Sequence, residues 1–184
     1  MKILRLILTT ILAFIFHLTS AWAGQTPQGT TFFEKSPLLL GFTTTFDGVR
    51  QGSAKYYLTI EIPQEAIEPL AKVSLTQTSG GENINFNLPE TFAFLGTRDN
   101  RGMPVEVKAS LDNSEQQWQM IVLTFPESIP AGNTLTIGLK PFRNPSLGGF
   151  YSFRVKTFPQ GENPLPLDLG VRRLYFVIPD GNHD

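Results

Sequence analysis

Cysteine is absent from the 184 residues, and histidine occurs only at His17 and His183. His17 lies in the hydrophobic leader described below and His183 is the penultimate residue, so the body between them holds neither imidazole nor thiol. A Ser-His-Asp or Cys-His arrangement therefore lacks its base or its nucleophile. Zinc and copper sites lose their main ligands, leaving Met103 and Met120 as weak sulfur donors, with Met120 on an apolar run that reads as core. Neither a metal nor a cofactor is expected. Stability must come from packing without disulfides, which a chain of this length can manage.

A long single-sign charge run is also missing. The charged start Lys2 and Arg5, the apolar LILTTILAFIF and the small-x-small Ala21-Trp22-Ala23 read as a signal peptide over residues 1–23, cut between Ala23 and Gly24. The apolar stretch falls short of the roughly 20 residues a bilayer span needs. With no nearby cysteine, no cysteine-linked lipid anchor can form, and the cleaved chain is expected to be extracytoplasmic, periplasmic or secreted, without a membrane anchor. Cleavage leaves 161 residues with 13 basic against 16 acidic side chains, a formal charge of −3 with signs interspersed. That balance predicts no nucleic-acid partner.

What is present is period-two alternation. Tyr56–Ile62 turns Leu58, Ile60 and Ile62 to one side and Tyr57, Thr59 and Glu61 to the other. Similar runs cover 72–78, 104–111, 118–125, 133–140, 150–157 and 171–178, and the last places Leu174, Phe176 and Ile178 inward. Two shorter apolar pieces, INFNL and TFAFLG, lie between them, and Gly80-Gly81 reads as a hairpin turn. The 104–111 and 118–125 runs suggest a hairpin, while FPQGENPLPLDLG reads as a long loop. One helical turn is expected after Pro63, with Glu65 and Glu68 at its start and Pro69 ending it. About eight strands and almost no helix predict an all-β, antiparallel, immunoglobulin-like β-sandwich in a single domain. It is bounded by a lead-in over 24–54 with a candidate edge strand, the sandwich over 55–179 and a polar tail over 180–184. No internal repeat or low-complexity tract is seen.

Candidate contact residues are few. Arg143 and Asn144 lie in KPFRNPSLGG, where Pro141, Asn144-Pro145 and Gly148-Gly149 suit a crossover between sheets. Pro145 between Asn144 and Ser146 cancels a glycosylation sequon. Tyr57 and Tyr175 fall on presumed outer faces, and Trp118 is the one tryptophan outside the leader; the three are candidates for stacking on sugars. TRDNRG offers too few oxygens for calcium and reads as a turn. Any two of Asp47, Glu90, Glu162 and Asp168 would have to converge for carboxylate hydrolysis, and their spacing does not favour it. The leading expectation is an exported, non-enzymatic domain that binds an envelope component, either protein or glycan. The alternatives are a carbohydrate-binding module using Tyr57, Tyr175 or Trp118, and a hydrolase using Asp168 or Glu162.

YYLTIEIPQEAIEPLAKVSLTQ, FAFLG, PAGNTLTIGLKPFRNPSLGGFYSFRVKTFPQG and LGVRRLYF, spanning Tyr56 to Phe176, together resemble the exported cyanobacterial family called domain of unknown function 2808. The resemblance implies an extracytoplasmic location, a cyanobacterial source and an unassigned activity. It supplies no catalytic residues.

Overall fold

The computed structural model describes residues 29–112 and 118–179; the expected leader and Ala23–Gly24 cleavage point, residues 113–117 and the expected polar tail with His183 lie outside them. Among the described residues, no helix is long and apolar enough to cross a membrane. Strand β1 (Thr30–Thr31) precedes β2 (Leu38–Thr44), β3 (Tyr56–Ile62), β4 (Leu70–Ser79), β5 (Phe92–Gly96) and β6 (Arg101–Val105). β7 (Lys108–Asp112), β8 (Met120–Ile129), β9 (Asn133–Leu139), β10 (Gly149–Pro159), β11 (Asn163–Pro164) and β12 (Leu167–Phe176) follow. One five-stranded sheet runs β12-β10-β4-β8-β7 and the other β2-β3-β9-β5-β6, every neighbour antiparallel; β1 and β11 form a short parallel pair. Stacked face to face, they make an immunoglobulin-like β-sandwich.

The alternation places the core. Leu58, Ile60 and Ile62 of β3 and Leu135, Ile137 and Leu139 of β9 are fully buried from one sheet, facing Val73, Leu75, Leu123, Phe153 and Val155 from the other. Each such side chain contributes about 1.5–3 kcal/mol on leaving water. Aromatic contacts lock the layers together: Phe42 of β2 meets Phe153 of β10 at 5.2 Å between ring centres and 75°, and Tyr56 of β3 meets Phe176 of β12 at 5.9 Å and 36°. On the side where β2 and β12 are both edge strands, the Arg172 guanidinium donates to the Leu39 carbonyl oxygen at 2.7 Å and ties the sheets together.

Several expectations are corrected. The run 104–111 is not one strand: it leaves one sheet after Val105 and enters the other at Lys108, and only β7 makes the expected hairpin with β8. That division, with β2, brings the sandwich to ten strands rather than about eight. The stretch read as a long loop is mostly strand, because a register shift at Val155/Lys156 lets Leu167 and Asp168 continue pairing with β10 despite the prolines. Gly80-Gly81 is not a hairpin turn, since β4 and the following β5 belong to opposite sheets. Ile178 lies past the end of β12 and is 65% exposed, and Met120 sits half-buried on the outer face of β8 rather than in the core. The helical turn is a 3₁₀ turn at Gln64–Ala66, and a second one at Leu88–Glu90 carried no recognisable signal. The first ends abruptly at Ile67, whose φ of 64° and ψ of −59° form a strained γ-turn closed by the Glu68 N–H on the Ala66 carbonyl at 2.7 Å.

Candidate functional site

The chain crosses from β9 to β10 through residues 140–148, and this crossover organises one pole of the sandwich. Asn144 is its clamp. Its side chain is fully buried: Oδ1 accepts from the Tyr56 hydroxyl at 2.9 Å, while Nδ2 donates to the carbonyls of Phe46 at 3.0 Å and Gly48 at 2.8 Å. The Asn144 N–H bonds the Gln51 carbonyl, and the Arg50 N–H bonds the Pro145 carbonyl. The crossover is thereby fastened to the β2–β3 loop, whose Asp47 and Val49 bond Val177 beyond β12.

A second set of bonds holds the loop after β4. Gln77, 3% exposed, accepts from the Ile84 N–H and donates to the Glu82 carbonyl. The Glu82 carboxylate in turn accepts from the Ser146 and Leu147 N–H groups. Burial, with the nearby Glu82 charge adding to it, pushes the Tyr151 phenol up against a backbone bond from Gly81, and its hydroxyl donates to the Leu147 carbonyl. Burial, reinforced by Tyr151, raises Tyr56 far above the ordinary phenol range. Both stay neutral hydrogen-bond donors at any physiological pH.

Arg143 is exposed and lines a cleft of about 140 Å³ with Glu82, Asn83, Asn85 and Phe142. Around it the frame carries apolar side chains in water: Phe142 and Ile178 are 65% exposed, Leu147 53%, Phe46 48% and Val177 41%. Ile178 lies against Gly148, beside Leu147. On the adjoining outer face Phe150 and Tyr175 stand opposite each other, ring centres 4.7 Å apart, with the Arg173 guanidinium 5.8 Å from the Phe150 ring.

The sequence-picked residues fare differently. Arg143 and Tyr175 are exposed at this pole, and Trp118 is half-buried ahead of β8, next to Gln119, which reaches Asn85. Asn144 is a structural group rather than an accessible contact. Tyr57 does point to the outer face of its sheet, yet it is 4% exposed, because the irregular register at Gly96 (φ 96°) folds the Thr97–Asn100 turn back over that face. The Arg101 guanidinium then donates to the Tyr57 hydroxyl at 3.1 Å, and Arg98 lies 5.1 Å from its ring. The four carboxylates weighed for hydrolysis sit on separate elements, with Glu90 paired to Lys140 and Asp168 to Arg154. Sequence reasoning did not single out Phe142, Leu147 or Phe150, and it turned Ile178 inward.

Residues 30–176 match the family described as Protein of unknown function (DUF2808). The chain belongs to this family. No curated protein matches it. Among solved structures, a collagen-binding domain from a Staphylococcus aureus adhesin aligns at 10% identity and TM-score 0.39, covering 73% of this chain and 95% of that one. A cohesin module from a Clostridium perfringens family 33 glycoside hydrolase aligns at 10% identity and TM-score 0.37, covering 77% and 97%. An uncharacterised Nocardia farcinica protein with an immunoglobulin-like fold aligns at 15% identity and TM-score 0.35, covering 74% and 97%. Likeness this distant transfers no ligand to the chain.

Proposed function

We infer that this protein is an exported, non-enzymatic binding module that engages a cell-envelope component, foremost a partner protein, through the crossover pole. The observation that carries this reading is the set of exposed apolar side chains, Phe46, Phe142, Leu147, Val177 and Ile178, on a frame held by the Asn144 and Glu82 bonds. Large apolar side chains left in water at one pole of a fold are costly and mark contact sites. A rigid frame reduces the ordering entropy lost on association. Export rests on the leader Lys2, Arg5 and Ala21-Trp22-Ala23, and the absence of catalysis on the lack of imidazole and thiol in the body of the sequence.

The test is affinity capture from an envelope extract with the unaltered protein and with Phe142→Asp and Ile178→Asp. Loss of a stoichiometric partner with both variants supports the reading; an unchanged set of captured proteins, or turnover of any substrate by the purified protein, refutes it. The second reading is glycan binding, favoured by the exposed Phe150–Tyr175 pair, and its readout is loss of polysaccharide retention on Phe150→Ala or Tyr175→Ala.

A further inference from the structure

The outer face of the β12-β10-β4-β8-β7 sheet carries a charge distribution that the interspersed signs of the sequence conceal. Register fixes which side chains share it. Lys108 and Lys72 flank Thr124 in one hydrogen-bonded row, and Lys72 is also opposite Phe158. Lys156 stands opposite Ser74 in the next row, and Arg154 opposite Thr76 in the one after that. Arg173 is opposite Ser152, and the Phe150–Tyr175 pair forms the last row. With strands about 4.8 Å apart and same-face residues about 7 Å apart along each strand, these groups trace a diagonal of about 30 Å.

Among the described residues the face presents these five cations against Asp112 and Asp168, with Glu106, just ahead of β7, 4.0 Å from Lys108. Asp168 is already engaged by Arg154 at 3.0 Å and by the Gly170 N–H at 2.8 Å. A positive stripe on a chain whose overall balance outside the leader is 13 basic to 16 acidic is a local concentration of charge rather than a reflection of composition. Between the cations lie short hydroxyl side chains, Ser110, Thr76 and Ser152, and at its end stand two exposed rings.

We propose that this stripe is the binding surface for an acidic polysaccharide, one bearing carboxylate or sulfate groups along an extended chain. The cations pair with the anionic groups, the hydroxyls bond ring hydroxyls, and the Phe150–Tyr175 pair stacks on a sugar face. This deepens the glycan reading above and rests on it. The face favours a polysaccharide over duplex nucleic acid because it is a flat sheet surface with no helix or ribbon to enter a groove. It favours one over a membrane because the stripe itself carries no protruding aliphatic cluster.

The experiment is affinity electrophoresis of the purified protein through gels containing polygalacturonate, heparin or neutral dextran, with oligothymidylate and anionic phosphatidylglycerol vesicles assayed by co-sedimentation. Retardation is expected with polygalacturonate or heparin and not with dextran. It should weaken at least about tenfold in the double variant Lys156→Glu/Arg173→Glu and on raising salt from about 50 to 500 mM. Lys35→Glu/Lys55→Glu, which reverses two exposed charges outside this sheet, should leave it unchanged. Lys72→Glu/Lys108→Glu provides an independent charge reversal at the other end, and circular dichroism verifies that both stripe variants fold. Dextran retardation that depends on Tyr175 but ignores both charge reversals keeps the glycan reading and overturns the acidic stripe. No retardation by any polysaccharide overturns both. Tighter binding to oligothymidylate or vesicles than to either acidic polysaccharide overturns the assignment of partner.

Discussion

Replacing Asn144 by alanine should be among the most damaging single changes in the protein. The side chain supplies three hydrogen bonds, to the Tyr56 hydroxyl, the Phe46 carbonyl and the Gly48 carbonyl. The Phe46 carbonyl keeps a donor in the Thr44 hydroxyl at 2.8 Å, so its loss is small. The Gly48 bond is worth about 1 kcal/mol, and the Tyr56 hydroxyl, on a fully buried residue, is left without an acceptor at about 1–3 kcal/mol. With the void the truncated side chain leaves, the total is about 3–5 kcal/mol, a large share of the roughly 5–15 kcal/mol that holds an ordinary domain folded. Urea denaturation with an unchanged m-value measures it. Tyr56→Phe alone should cost about 1–2 kcal/mol, and the double variant should cost less than the sum of the singles by a similar amount, since both break one bond. Asn144→Asp retains an acceptor for Tyr56 but sets a carboxylate against two carbonyl oxygens. It should be at least as harmful as alanine at pH 7; because the buried carboxyl would hold its proton more tightly in the fold than in the unfolded chain, it should recover relative to the unaltered protein as pH falls toward about 4, with no further gain below that. An Asn144→Ala cost below about 1 kcal/mol, or strict additivity with Tyr56→Phe, would refute the clamp.

Other outcomes follow from single features. Unfolded tyrosines lose their protons near pH 10, whereas burial holds the Tyr56 proton in the fold, so the unfolded state binds fewer protons there. Stability should be unaffected by this group below pH 10 and fall by about 1.4 kcal/mol per pH unit above it, a slope that urea midpoints at pH 9 to 11 should show flattening in Tyr56→Phe. Gly138→Ala should destabilise by about 1–3 kcal/mol in thermal melts, because its Cβ would sit 2.2 Å from the Phe92 ring, and Phe92→Ala in the same chain should return part of the loss. Tetranitromethane should modify exposed Tyr175 and spare Tyr57, and mass spectrometry should find Tyr57 reactive only once Arg98 and Arg101 are replaced by alanine. Ile67→Gly should raise stability by about 1 kcal/mol in urea titrations by relieving the positive-φ strain of a β-branched residue.

Fold class was legible in the chain because period-two alternation is local: each inward residue of β3, β9 and β10 declares its side without reference to distant partners. The turn character of Pro141, Asn144-Pro145 and Gly148-Gly149 was likewise local, and the crossover they implied is the one the fold makes. The division of 104–111 was not legible, since an alternating strand looks the same whether or not it changes sheets halfway. Tyr57 shows the limit for sites. Its alternation assigned it correctly to the outer face, but only the folding back of the Thr97–Asn100 turn covers that face with two guanidinium groups.

The sequence by itself determined the layered β architecture, the chemistry denied by missing imidazole and thiol, and the residues able to punctuate strands. Tertiary structure alone decided which polar residue is buried as a clamp, which apolar residues are left in water, and which cations share a face. Patterning operates within a strand. Charge proximity and exposure arise from strand order, register and loop packing, which bring together residues as far apart in the chain as Lys72 and Arg173.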